Sequence, residues 1–423
     1  MLFKLFFYYL SINAIRILPA NIQRKIQIAK FRAIFEYARE HSPFYKKLYE
    51  EAGVMNLVVK NYDDIKRIPV IDKIKMKEFA TEDILTEQFD PRKHHSHFTS
   101  GSTGVPFKIV CSFFEEFCAH VRVFSLMLWS GWRPWHNILM YTRYGSSDKF
   151  CVEGKISLLS ILNKLGLFKR EIVNVFSDPS IVADKLSTGK FKCLWATPGA
   201  LDLLIDYLDE KRMKLEKIPL VYTYAESVSH LQYTRYMDSI CNRVINCYGT
   251  EEFPTMGFRD MARRYYNLFA NFCLFETEKD EYGEDLFIVT NLENHTMPFI
   301  RFNTHDIVDD VIRNHGQVQT LGYIKGRKDD VIKLRSGSSF IFHQSYEMIL
   351  GMKEVLQYKF VQYKNGDVAI RINLSRNSDK DAIQKTISER WKKTFPNDNL
   401  SFEFCDTMSI SVQSGKFKVI EIL

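Results

Sequence analysis

"KCLWATPGALDLLIDYLDEK", residues 192–211, begins with a short apolar run, breaks at Thr197-Pro198-Gly199 and continues with apolar residues at helical spacing. That order, a buried strand closed by small and polar residues and followed by an amphipathic helix, is a βα unit. The pattern returns in "PLVYTYAESVSHLQYTRYMD" (219–238) and in "RVINCYGTEEFP" (243–254). All three strands end in a small or polar cluster, and the first two are expected to lead into helices. The fold class is therefore α/β. In such sheets ligands bind beyond the carboxyl ends of the strands, so Thr197, Pro198, Ala225, Glu226, Tyr248 and Glu252 are expected to line one crevice.

Upstream lies "HFTSGSTGVPFKI", residues 97–109. Its flanks, "HSHFTS" and "PFKIVCS", read as strands, so the hydroxyl-rich stretch joins strand to strand. A Walker loop would run from strand into helix and carry GK[ST]. Thr99, Ser100, Gly101, Ser102, Thr103 and Gly104 are either a plain turn or a cradle in which backbone N–H groups and hydroxyls meet phosphate oxygens. Further upstream, Ile26, Phe31, Ile34, Phe35 and Ala38 recur at helical intervals, and Ser42-Pro43 should break that helix. Residues 113–130 are a second amphipathic candidate.

Downstream, "GYIKGRKDDVIKLRSG" is dense in charge and glycine. Beyond it come predicted strands near 355–363 and 367–373 around Asn365-Gly366, a helix near 379–393, and strands near 401–405 and 417–422. These make a small α+β unit. With a boundary near Lys328, the chain divides into a basic apolar segment (1–30), a large multi-sheet α/β domain (31–327) and a small mobile C-terminal α+β domain (328–423).

A chain of 423 residues with 46% hydrophobic content supports well-buried cores and is not disordered. The eight cysteines form no CxxC pair and no compact spacing, which fits reduced thiols in the cytoplasm. Net charge is +7, but Lys4, Arg16, Arg24, Lys25, Lys30 and Arg32 stand in the first 35 residues without a single acid. The body is therefore almost neutral, which argues against nucleic acid as a partner. The uncharged run Leu5–Ile15 is short of the roughly 20 residues that span a bilayer. A signal peptide, a helix lying on an anionic membrane surface and a helix packed on the body all remain open for it.

Four more segments complete a constellation. "YGTEE" (248–252) offers an aromatic face for a base, through Tyr248, and carboxylates for Mg²⁺. "RFNTHD" (301–306) ends in Asp306, able to accept both hydroxyls of a ribose. "GRKDD" (326–330) supplies Arg327, whose fork suits phosphate or ribose oxygens. "SGKFK" (414–418) puts Lys416 close to the C-terminus. Each residue also has a plainer reading as core, turn or solvated charge; the order and spacing are what single them out.

In this order the segments resemble the adenylate-forming superfamily, and within it the branch of phenylacetate-coenzyme A ligase and the related capsular-polysaccharide-biosynthesis proteins. "FEYAREHSPFYKKLYEEAG" and "IKRIPVIDK" resemble that branch's N-terminal region, so the likeness runs from about residue 30 to the end. The resemblance implies that Thr99 to Pro106 grip the phosphates of ATP and that "TPGA" and "AES" (Ala225, Glu226, Ser227) line the nucleotide and acyl pockets. It implies that Tyr248 stacks on adenine, with Gly249, Thr250 and Glu251 beside it, that Glu252 is the metal-side carboxylate, and that Asp306 binds ribose. Arg327 matches the nucleotide-contacting arginine, Asp329 the hinge, and Lys416 the lysine on the acyl carboxylate and α-phosphate, with Lys418 as its fallback.

The activity so implied is formation of an acyl-adenylate from a carboxylic acid, with ATP and Mg²⁺. Transfer follows to coenzyme A by default, or to an amine or hydroxyl on a sugar or carrier. An AMP transferase and a nucleotide-binding scaffold are the competing readings. Departures from the pattern are Glu251 where Ser or Thr is usual, so that a slip of one would give the metal role to Thr250-Glu251. His305 replaces a common glycine, Phe107 precedes Lys108, and "RPWHN" (133–137) lacks the usual glycine and aspartate. His94, His95 and His97 are read as a solvated loop rather than a metal site, because no carboxylate cluster accompanies them in the sequence.

Overall fold

The computed structural model describes residues 2–98, 107–142, 165–281, 283–314, 317–328, 331–340, 342–349, 352, 354–375, 378–406, 408 and 419–423. It is a mixed α/β molecule with several sheets, of the predicted class. Two compact units divide the chain. One comprises Met1–Gly131, Tyr248–Arg259 and Arg264–Ile324; the other comprises Trp132–Cys247, Asp260–Arg263 and Lys325–Leu423.

In the first unit the predicted break at Ser42-Pro43 separates helix Ala20–His41 from helix Pro43–Glu51. Ser42 is extended, as the residue before a proline prefers, and its hydroxyl donates to the Ile84 carbonyl at 2.9 Å. Phe31, Ile34, Phe35 and Ala38 are fully buried, the one face their spacing predicts. Helix Phe113–Trp129 starts at a capping box in which the Ser112 hydroxyl accepts from Glu115 N and the Glu115 carboxylate accepts from Ser112 N. Strands Cys273–Lys279, Asp285–Asn291 and Phe302–Asp309 pair antiparallel in that order. The register of the last pair jumps: Leu286 faces Ile307 while Ile288 faces Asn303. One residue of one strand, Phe287, thus opposes three of the other, a bulge that turns Thr304 to Asp306 out of the ladder.

The N-terminal segment is a helix, Leu2–Ile17, and one face of it packs on the body. Arg122 donates to the Tyr8 hydroxyl at 2.7 Å, Trp129 Nε1 donates to Asn13 at 2.8 Å, and the Arg16 guanidinium lies 4.4 Å over the Trp129 ring. Its other face exposes Phe3, Phe6, Phe7, Leu10 and Ile17. No described helix is long and apolar enough to cross a membrane.

In the second unit strands Arg170–Asn174, Asn137–Thr142, Phe191–Ala196, Leu220–Thr223 and Val244–Tyr248 run parallel in that spatial order. Leu194, Ala196, Ala200, Leu201, Leu204 and Ile205 are fully buried in its core, which is why the helix of 192–211 is apolar on the side turned to the sheet. The C-terminal residues build a separate core around Phe340, Phe360, Ile387, Trp391 and Phe395. There strands Leu400–Phe404, Val368–Leu374, Val355–Gln362 and Ile420–Ile422 form one sheet, with helix Lys380–Thr394 capped by Asp379. The hairpin at Asn365-Gly366 turns where expected, Gly366 having a φ of +85° that favours glycine.

Candidate active site

Two clusters carry the described site residues, one in each unit. In the second, three parallel strands deliver their ends together. Thr197 caps helix Pro198–Glu210 by accepting from Ala200 N at 3.3 Å. A Glu226 carboxylate oxygen accepts from Gly199 N at 3.0 Å, and the Glu226 carbonyl accepts from Asn246 Nδ2 at 3.4 Å. Asn246 Nδ2 also donates to the Thr223 hydroxyl at 3.0 Å. Tyr224 meets Thr142 hydroxyl to hydroxyl. Ala225 is exposed and takes a left-handed φ of +67°, the kink that lets the chain turn immediately after its strand. Helix His230–Ser239 starts later than expected, at a Ser229–Gln232 capping box, so "AESV" is an irregular turn and not the head of the helix.

In the first unit the Tyr248 hydroxyl donates to Asp306 Oδ2 at 2.6 Å, and both residues are buried. Burial pushes the Tyr248 phenol well above its usual range, and the adjacent Asp306 carboxylate pushes it further, so it stays a proton donor. Asp306 reaches it from the bulge. Gly249 must be glycine: a Cβ there would stand 2.5 Å from Thr255 N. The turn that follows is closed by Thr250 N donating to the Phe253 carbonyl at 3.2 Å.

The two carboxylates of "YGTEE" have separate surroundings. Glu252 is buried, and its Oε1 lies 2.7 Å from Lys73 Nζ; Glu251 is 62% exposed, with Oε2 3.4 Å from His97 Nε2. A cation is therefore already at Glu252. A magnesium ion there would have to displace the Lys73 ammonium, so this carboxylate as it stands does not fit the role of an open oxygen donor. Lys73 was not foreseen. It sits at the end of the quoted "IKRIPVIDK", and nothing in that string announces a partner so far along the chain.

His305 adopts a φ of +62°, which explains why a glycine is common at this position of the pattern. Its Nε2 lies 3.3 Å from Asp72 Oδ2, and Asp72 in turn caps helix Lys73–Lys77 by accepting from Lys75 N at 2.8 Å. The His305 hydrogen bond holds the Asp72 carboxyl below its usual range. One connected path thus runs from the bulge that carries Asp306 to the helix that carries Lys73.

The expectation of a solvated histidine loop is corrected. His94, His95 and His97 lie on strand His94–Phe98, paired with Lys108–Ser112. His94 is buried, with Nδ1 accepting from Asp90 N at 3.0 Å and Nε2 3.2 Å from Glu87 Oε1. Carboxylates do accompany the others, since Glu116 stands beside His95 and Glu251 beside His97. They were invisible in the sequence because folding, not proximity along the chain, brings them in.

Arg327 ends strand Tyr323–Arg327 and is half-buried, and Ser227 lies half-buried in the turn after Glu226. Thr99 to Gly104, Asp329 and Lys416 lie outside the described residues. None of the described cysteines is joined in a disulfide.

No family model matches the sequence. The chain is 22% identical over 397 residues to the phenylacetate-coenzyme A ligase of Thermus thermophilus, spanning 88% of this chain and 86% of that protein. Among solved structures it is similar to 2-hydroxyisobutyryl-CoA ligase in the postadenylation state in complex with 2-HIB-AMP. That match has a TM-score of 0.74 at 16% identity, covering 96% of this chain and 90% of the other. The open conformation of the same ligase in complex with 2-HIB-AMP and CoA matches with a TM-score of 0.60 at 15% identity, over 96% and 92%.

The fold is that of an adenylate-forming ligase. In sequence the chain is similar, over most of its length, to a phenylacetate-coenzyme A ligase.

Proposed function

We propose that the protein activates a carboxylic acid with ATP and transfers the resulting acyl group to coenzyme A. The observation that carries this reading is the buried 2.6 Å bond from Tyr248 to Asp306. It joins the residue matched to adenine with the residue matched to ribose, and it fixes both before any nucleotide arrives. Such preorganisation spares the reaction the cost of orienting these groups.

In the first step a carboxylate oxygen attacks the α-phosphorus, the bond to the β-phosphate oxygen breaks, and pyrophosphate leaves. In the second the acceptor sulfur attacks the acyl carbonyl, AMP departs, and the thiol proton is released. Two anions must meet in the first step, so it needs fixed positive charge. Lys416 is the residue assigned to it. The C-terminal residues 328–423 are proposed to turn about Asp329 between steps, with Arg327 on the nucleotide. Magnesium, when bound with ATP, supplies further positive charge to the phosphates. A sugar- or carrier-borne amine or hydroxyl, in polysaccharide biosynthesis, is the variant acceptor suggested by the capsule-like branch.

ATP–pyrophosphate exchange measured across aryl, fatty, hydroxy and amino acids tests the reading. At least one acid should drive exchange, and Lys416→Ala should lower it by about 10²- to 10³-fold, the usual cost of a preorganised charge, while ATP still binds. AMP retained on the product would instead mean nucleotidyl transfer, and tight ATP binding without exchange would mean a scaffold.

A second proposal concerns location. The exposed Phe3, Phe6, Phe7, Leu10 and Ile17, on a segment rich in lysine and arginine, suit the surface of an anionic membrane on the cytoplasmic side. Replacing Phe3, Phe6 and Phe7 together by serine should release the protein from sedimenting anionic vesicles. Unchanged sedimentation removes the idea.

A further inference from the structure

His95 and His97 are two apart on strand His94–Phe98, so both side chains leave the same face. Cys111 stands directly opposite His95 in the antiparallel register, which puts its sulfur on that face as well. One ligand atom from each of the three lies within 4.8 Å of the others, and all three residues are half-buried. The two imidazoles stack with centroids 6.1 Å apart. Glu251 Oε2 is 3.4 Å from His97 Nε2, and Glu116 Oε1 is 3.4 Å from His95 Nδ1.

The geometry points to a zinc site formed by one ring nitrogen each of His95 and His97, the Cys111 thiolate and the Glu251 carboxylate. Bonds of roughly 2.0–2.1 Å to nitrogen and about 2.3 Å to sulfur place tetrahedral donors roughly 3.5 Å apart. The His95, His97 and Cys111 atoms, within 4.8 Å of one another, close to that by side-chain rotation, and the Glu251 carboxylate, 3.4 Å from His97 Nε2, swings in as the fourth donor. Two imidazoles and a thiolate favour a borderline-soft transition ion and disfavour magnesium or calcium, which want oxygen. Glu116 takes the outer role: a carboxylate accepting from a ligating histidine fixes its tautomer and raises its basicity. On binding, the Cys111 proton passes to solvent, so affinity falls with acid.

The site gives Glu251 a purpose at a position where the superfamily pattern has Ser or Thr. An ion held there joins the strand pair flanking the hydroxyl-rich stretch to the turn that follows Tyr248. It is a structural clamp, separate from any magnesium that accompanies ATP, and it stands whether or not the proposed ligation is correct.

The full chain, stripped with a chelator and titrated with Co²⁺ as the spectroscopic stand-in, should take one ion per molecule. It should show the near-ultraviolet sulfur-to-cobalt charge-transfer band and the intense visible bands of a tetrahedral centre, and zinc should displace them. Cys111→Ser should abolish the charge-transfer band while melting like the metal-free parent. His97→Gln and Glu251→Gln should each weaken zinc by at least the roughly 10- to 100-fold that even an outer partner is worth. Zinc should raise the melting temperature of the parent and not of the Cys111 variant. A cobalt titration without a thiolate band, or one superimposable for parent and Cys111→Ser, overturns the site. Unchanged affinity in Glu251→Gln overturns the fourth ligand.

Discussion

Asp202 in the parallel-sheet unit and Asp306 in the antiparallel one are both buried carboxyl groups beside a tyrosine hydroxyl, yet the two tyrosines face different demands. Tyr248 donates its proton to Asp306 at 2.6 Å. Tyr236 stands 3.0 Å from Asp202 Oδ1 and also 3.0 Å from the Pro198 carbonyl, while Gln232 donates to Asp202 Oδ2 at 2.7 Å. One phenolic proton cannot serve two acceptors. Both are satisfied when Tyr236 donates to Pro198 and a protonated Asp202 donates to Tyr236. Burial pushes the Asp202 carboxyl up to about 7, even with Arg235 nearby pulling it down. A buried acid therefore takes the charge state that its neighbours' spare donors dictate.

Glu252, another buried acid, extends the comparison, being paired with Lys73. Lys73→Met should produce the largest effect. It leaves a carboxylate buried without its cation, which costs about 3–5 kcal/mol, read as a drop in urea midpoint at neutral pH. A loss below about 1 kcal/mol would mean that the pair contributes little.

The protonated member is broken by pH. The native Asp202 carboxyl titrates near 7 and the unfolded one near ~3.9, so between these values the folded chain holds the extra proton. Stability is then fully present below about pH 4 and declines as pH rises through about 7, by up to roughly 4 kcal/mol at ~1.36 kcal/mol per unit. Asp202→Asn mimics the protonated form, its amide N–H donating to Tyr236 and its carbonyl accepting from Gln232. This variant should lose the slope and be more stable than the parent above pH 7. A parent with no slope between pH 4 and 7 would refute the protonation.

A smaller effect is expected at the bond that defines the nucleotide reading. Tyr248→Phe removes the donor from a carboxylate and should cost about 2 kcal/mol, in the range for hydrogen bonds to charged groups. It should also raise KM for ATP more than it lowers kcat, since the ring stays and only the positioning of Asp306 is lost.

What could be read from the sequence divides along the same line. The strand ends of the parallel sheet were legible because each βα unit is local: Thr197-Pro198 closes one strand and caps the next helix within a few residues. The Ser42-Pro43 break, the Asn365-Gly366 hairpin and the helix from Phe113 were legible for the same reason. The bulge at residues 303–307 was not, because register is set by which strand lies opposite. Lys73 on Glu252, Asp72 on His305, and Glu116 and Glu251 beside the histidines are meetings of distant segments that no local pattern announces. Matching the family pattern found Tyr248 and Asp306 as separate residues; only the fold shows them bonded.

His305 tests that distant layer at the smallest scale. A non-glycine residue at φ +62° carries roughly 1–2 kcal/mol of left-handed strain, which His305→Gly would relieve. The same change gives the unfolded chain more freedom, worth about 0.4–1 kcal/mol the other way, and removes the contact with Asp72. The net change at neutral pH should therefore stay within about 1 kcal/mol. The acid limb should differ more clearly. Asp72 is held below its usual range chiefly by the His305 hydrogen bond, so it contributes stability that is present above the unfolded value of ~3.9 and is lost as pH falls through the depressed folded value. Without His305 that loss should shrink, and the variant should unfold less steeply than the parent below about pH 4. Superimposable acid limbs would show that Asp72 is held by its helix cap alone, and that the path from the Asp306 bulge to Lys73 is not energetically connected.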